Sequence, residues 1–196
     1  VNFNGSASAT GGSGTGGRVD VFGDSVNLGP QANINVDGFN AGGHVRIGGG
    51  FQGNDATARN ATNTTIATGA TISADALNNG DGGTVIAWAD DTMNFDGNIS
   101  AEGSIGGTGG FVEVSGKSQL NLGDNVNLTL GQGGTVLFDP TDFTINNGAR
   151  NAIRTQINAG TDVIVTTQVA GAGTGDIRVN SNFTDGNALN LSLIHI

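Results

Sequence analysis

The chain has 196 residues, 36 of them glycine, with two prolines, no cysteine, no tyrosine and a formal net charge of −10. Disulfides and thiolate metal sites are excluded, and seven lysines and arginines against seventeen acids argue against nucleic acid or an anionic membrane surface as partner. No apolar run approaches a membrane span, no strict glycine triplet marks collagen, and alternating Val, Ile, Leu and Phe set the chain apart from a low-complexity coil.

In chain order, one unit keeps returning. A short strand with a central Asn is followed by a small-residue strand, then by Gly-Gly and a third strand. Asn2-Phe3 leads through Ala7-Ser8 to Gly16-Gly17-Arg18-Val19-Asp20-Val21, and Val26-Asn27-Leu28 through Ile34-Asn35 to Gly42-Gly43-His44-Val45-Arg46-Ile47. Met93-Asn94-Phe95 leads through Ile99-Ser100 to Gly109-Gly110-Phe111-Val112-Glu113-Val114, and Leu120-Asn121-Leu122 through Asn127-Leu128 to Gly133-Gly134-Thr135-Val136-Leu137-Phe138. Such repetition predicts a solenoid. The second glycines fall at Gly17, Gly43, Gly83, Gly110 and Gly134, giving gaps of 26, 40, 27 and 24 residues. Three gaps fit one coil of a parallel β-helix. The long gap fits either one coil with an insertion, for which Gln52 to Thr65 is suited, or two short coils.

Strand alternation assigns faces. One inward stack holds Val19, Val45, Val85, Val112 and Val136, and a second holds Val21, Ile47, Ala87, Val114 and Phe138. Asp20, Arg46, Ile86, Glu113 and Leu137 then point outward. Asp20 and Arg46 lie on adjacent coils about 4.8 Å apart, where an exposed pair contributes about 0–1 kcal/mol. Gly serves corners needing positive φ or close backbone approach. A twisted sandwich is the alternative, but its tight hairpin turns do not recur consistently.

Asp139-Pro140 punctuates the array, because proline cannot donate to a ladder. Residues 1 to 138 thus read as one repeat array and 139 to 190 as a further β-helical segment. Within the latter, Asp142 to Ile145, Asp162 to Thr167 and Asp176 to Val179 read as strands. Apolar residues at 149, 153 and 157 predict one short helix over 149 to 158. Residues 191 to 196 read as translated sequencing-adapter sequence and are set aside from the fold, which leaves His44 as the one native histidine. Val1 falls inside a repeat unit, so the chain is expected to continue upstream.

The phrases Gly82-Gly83-Thr84-Val85-Ile86-Ala87-Trp88-Ala89-Asp90, Gly109-Gly110-Phe111-Val112-Glu113-Val114-Ser115-Gly116-Lys117, Leu137-Phe138-Asp139-Pro140 and Ile157-Asn158-Ala159-Gly160-Thr161-Asp162-Val163 resemble the filamentous-haemagglutinin-like large exoproteins of Gram-negative bacteria. The resemblance covers most of the chain before residue 191. It implies an all-β, right-handed parallel β-helix, export by two-partner secretion through an outer-membrane transporter, and a secreted or cell-surface location. It also implies adhesion to a host or bacterial glycan or protein receptor. The secretion-signal domain of that family, with its Asn-Pro-Asn-type motifs, is not in this sequence.

Little else carries chemistry. His44 follows Gly-Gly at an outward position and reads as a solvated surface residue. Gly11 to Arg18 lacks the Gly-Lys-Ser/Thr of a phosphate loop. Asp81, Asp90 and Asp91 offer hard oxygens but no calcium-binding nonapeptide repeat. Asn60, Asn63, Asn98 and Asn127 head Asn-X-Ser/Thr triplets. Asp20, Arg46 and Glu113 form the best enzyme constellation, as in a carbohydrate-active β-helix. The expectation is nevertheless a structural and adhesive segment, not an enzyme, with no catalytic, cofactor-binding or metal residue assigned. The alternatives are that β-helical enzyme and the shaft of a contact-dependent toxin-delivery protein.

Overall fold

A computed structural model describes residues 1–167, 174–180 and 191–195. The first coil holds Asn2–Phe3 (β1), Ser6–Ser8 (β2) and Arg18–Val21 (β3), and the second Ser25–Leu28 (β4), Asn33–Asn35 (β5) and His44–Ile47 (β6). The third holds Asn63–Ile66 (β7), Thr71–Ser73 (β8) and Thr84–Ala89 (β9), and the fourth Thr92–Phe95 (β10), Asn98–Ser100 (β11) and Phe111–Gly116 (β12). The fifth holds Gln119–Leu122 (β13), Asn127–Thr129 (β14) and Thr135–Phe138 (β15). Phe143–Ile145 (β16), the helix Asn147–Asn158 (α1) and Asp162–Thr167 (β17) make the sixth; Ile177–Val179 (β18) and Leu191–His195 (β19) follow.

Corresponding strands stack into three parallel sheets. Two have five strands, β1-β4-β7-β10-β13 and β2-β5-β8-β11-β14, and the third has seven, β3-β6-β9-β12-β15-β17-β19; β16 pairs separately with β18. The absence of antiparallel pairing among the described residues rules out the sandwich. The chain is a parallel β-solenoid of about six turns.

The register follows the Gly-Gly pairs. Val19, Val45, Val85, Val112 and Val136 align across the seven-stranded sheet and continue to Val163. Together with Ile47, Ala87, Val114 and Phe138 they fill the interior, which the other two sheets complete with residues such as Leu28, Ile34, Ile72, Phe95 and Ile99. The second glycine of each pair is needed for close approach rather than for positive φ. A Cβ on Gly43 would sit 2.2 Å from the Gly17 carbonyl oxygen, and one on Gly110 would sit 2.0 Å from that of Gly83.

The 40-residue gap is one coil with an insertion. Residues 48–62 leave β6 and re-enter at β7, so Asn63 to Thr65, placed in the insertion by composition, belong to the strand. The helix also starts earlier than its apolar spacing predicts, because the Asn146 side chain accepts a hydrogen bond from the Ala149 N–H at 3.0 Å and caps it. It buries Ala149, Ile153 and Ile157 and takes, in chain order, the place of a sixth strand in the β2-type sheet. Within the segment read as adapter-derived, β19 pairs in parallel with β17 from Val163↔Leu191 to Thr167↔His195.

Candidate functional site

The outward face of the seven-stranded sheet departs from its expected character. Asp20, Arg46, Ile86 and Glu113 stand in one row across adjacent strands, as the register predicts. Asp20 is exposed, but from Arg46 onward the row is not a solvated face. Arg46 is 9% exposed, Ile86 4%, Leu137 6% and Glu113 0%. The insertion folds back over this row and forms a second layer.

Glycines let it lie close to the sheet. Gly53, at φ +65°, and Gly49 pack on the indole of Trp88, which leaves no room for a Cβ at either position. The Trp88 Nε1–H donates to Asp90 at 2.8 Å, and the Asn60 amide bridges the Gly53 carbonyl and Asp90 at 2.9 and 3.0 Å. Arg46 anchors the near end. Its guanidinium donates to both oxygens of Asp20 at 2.8 and 2.9 Å, to Asp55 of the insertion at 2.5 Å and to Thr57 at 3.1 Å, and it lies over the Phe22 ring at 4.8 Å. Hydrogen bonds from Arg46 hold the Asp20 carboxyl below its ordinary range; burial opposes this and Arg18 adds to it. The Asp20–Arg46 pair is thus formed as the register predicts, but as part of a half-buried network.

Gln52 anchors the far end. It is the one non-glycine residue with positive φ, at 50°, among the described residues. That turn aims its backbone N–H at the Glu113 carboxyl, 3.1 and 3.2 Å from the two oxygens, while its side-chain amide donates to Asp139 at 2.8 Å. Burial pushes the Glu113 carboxyl up to about 8, outweighing the hydrogen bonds from Gln52 and Ser115, and the neighbouring Asp139 raises it further. Asp139 also accepts from Thr166, and its N–H donates to Ser115 at 3.1 Å.

Two openings flank the insertion. One is a polar recess of about 130 Å³ lined by Gln52, Trp88, Asp90, Lys117, Asp139 and Thr141. The other is a wider cleft of about 500 Å³ on the β3 side, whose walls include Arg18, His44, Phe51, Ile86 and Phe111. No protein-family model and no curated protein matches the chain. Its functional reading therefore rests on this geometry.

The enzyme constellation is divided. Asp20 and Arg46 meet at one end of the row, whereas Glu113 lies two strands away beneath Gln52. His44 is exposed and lines the wide cleft, so its solvated reading holds while its place beside a cavity is new. Asp81 accepts from Thr108, and Asp90 is held by Trp88 and Asn60. Among the described residues, no three His, Cys, Asp or Glu are grouped to hold a metal ion. The amides of Asn60 and Asn98 are already spent on backbone carbonyls. Gln52, Trp88 and Asp139 belong to no catalytic or binding motif in the sequence. The covered face does leave a signal, the apolar character of outward positions Ile86, Trp88 and Leu137, which a solvated face has no reason to carry.

Proposed function

We propose that this chain is a structural and adhesive segment of a secreted, surface-displayed bacterial exoprotein, passed outward by an outer-membrane partner. The solenoid supplies a stiff scaffold in which each coil packs on its neighbours, and the insertion supplies the distinctive surface. One observation carries the reading. Two of the three sheets present repeating Asn, Ser and Thr rows, whereas the third bears a single packed, irregular loop whose Phe51, Thr57 and Arg59 remain exposed. Recognition concentrates on such loops held by a rigid frame. The acids and arginine of the alternative lyase-like reading are occupied in holding this loop. Glu113 is sealed from solvent, which favours a structural role over general acid–base work.

The test is capture of bacterial and host-cell surfaces by the immobilised protein. Replacing residues 51–59 with a Gly-Ser segment of equal length, and separately changing the exposed pair Phe51→Ala and Arg59→Ala, is expected to reduce capture at least severalfold. The double variant alters only exposed side chains, so it retains the fold. Undiminished capture by both variants counts against the reading.

A further inference from the structure

We infer that the cleft between the insertion and β3 to β12 is a binding site for a small amphipathic carboxylate with an aromatic body. The inference rests on the cleft alone and is independent of the adhesive reading.

Arg18, His44, Thr84 and Phe111 stand in one ladder position on four successive strands, so their side chains emerge in line. The row spans about 14 Å at the ordinary strand spacing. The cleft's volume of about 500 Å³ lies within the usual range for small-molecule sites. Its two ends differ in chemistry. At the far end, Phe51 from the insertion meets Phe111 edge-to-face, with ring centroids 5.8 Å apart, and Ile86 lies on the floor. Phe51 is 48% exposed, although an aromatic ring of this size is costly to leave in water. A flat apolar body laid beside it removes that exposure and adds a third ring to the cluster.

At the near end, Arg18 donates through Nε to both oxygens of Asp20 at 3.0 Å. Its two terminal nitrogens make no hydrogen bond to any described residue, and neither does the neighbouring His44 ring. The acids nearby are committed: Asp20 to Arg18 and Arg46, and Asp55 to Arg46 and Thr57. What remains is a set of donors without acceptors. A planar guanidinium edge matches a carboxylate in bidentate geometry. Arg18, His44, Arg46, Asp55 and Thr84 contribute to the lining, but most of its surface is apolar, which suits one charged group at the end of a ring system better than a sugar, whose hydroxyls need partners throughout.

The probe is 2-naphthoate, with naphthalene-2-carboxamide as its uncharged isostere, titrated into the whole chain by NMR and calorimetry at low salt. The acid is expected to bind with shifts at Arg18, His44, Thr84 and Phe111, and the amide about tenfold more weakly. Arg18→Gln, an exposed substitution that leaves the fold intact, should cut that preference to about twofold or less. Phe51→Ala should weaken acid and amide alike, about fivefold. Absence of binding at millimolar naphthoate, equal affinity for acid and amide, or an undiminished preference in Arg18→Gln would overturn the inference.

Discussion

The outward faces of the five-stranded and seven-stranded sheets are built on the same ladder and have opposite fates. On β1, β4, β7, β10 and β13 the outward row reads Asn2, Asn27, Thr65, Asn94 and Asn121. Amides in it bond along the axis, as Asn121 does to Asn94 at 2.9 Å and Asn27 to Asn2 at 3.3 Å, and its four asparagines are exposed. On β9, β12 and β15 the outward positions include Ile86, Trp88, Glu113 and Leu137, all buried, with Trp88 and Glu113 directly against the insertion. The same backbone geometry thus yields a bare polar ladder or a two-layer contact according to what the alternate side chains offer a neighbouring segment.

The largest test of that contrast is Trp88→Ala. The indole is 3% exposed and supports Gly49 and Gly53, so its removal should cost about 3–5 kcal/mol in urea denaturation and open residues 48–62 to limited proteolysis. A smaller effect comes from Glu113. The folded chain keeps its proton up to about pH 8, while the unfolded chain releases it near 4.5. Stability from this group is therefore intact below pH 4.5 and is lost as pH rises through about 8, roughly 3 kcal/mol of it by pH 7. Denaturation between pH 5 and 8 should show that decline, and Glu113→Gln should flatten it. The range avoids Asp20, Asp55, Asp96 and Asp142, whose lowered values give the opposite slope in more acid solution. The smallest effect belongs to the bare ladder, where Asn94→Ala should change stability by less than about 0.5 kcal/mol. A loss comparable with that of Trp88→Ala would erase the contrast.

The solenoid was legible because its physics is periodic. Each Gly-Gly pair marks a place where neighbouring backbones touch, and the alternate valines after it set the inward stack. The helix was legible from positions 149, 153 and 157, but its first turn depends on the Asn146 cap, which lies outside that spacing. The covered face is not encoded in the repeat. Its formation depends on a positive φ at Gln52 and on contacts reaching across three coils, and neither has a period. The clue at hand was compositional: Ile86, Trp88 and Leu137 occupy positions that solvent would fill with Asn, Ser or Thr.

Those reaching contacts have a consequence in time. Coils of a solenoid interact with their neighbours, so order can spread stepwise along the chain. Gln52 breaks that locality, since its partners Glu113 and Asp139 lie 61 and 87 residues further along. The insertion emerges with the second coil, where Arg46 already holds Asp55 and Thr57, but the partners of Gln52 exist only once the fourth and fifth coils are wound. Gln52 therefore stays unfastened while the scaffold grows past it, and it closes as a late clasp that joins coils two to five into one cooperative block.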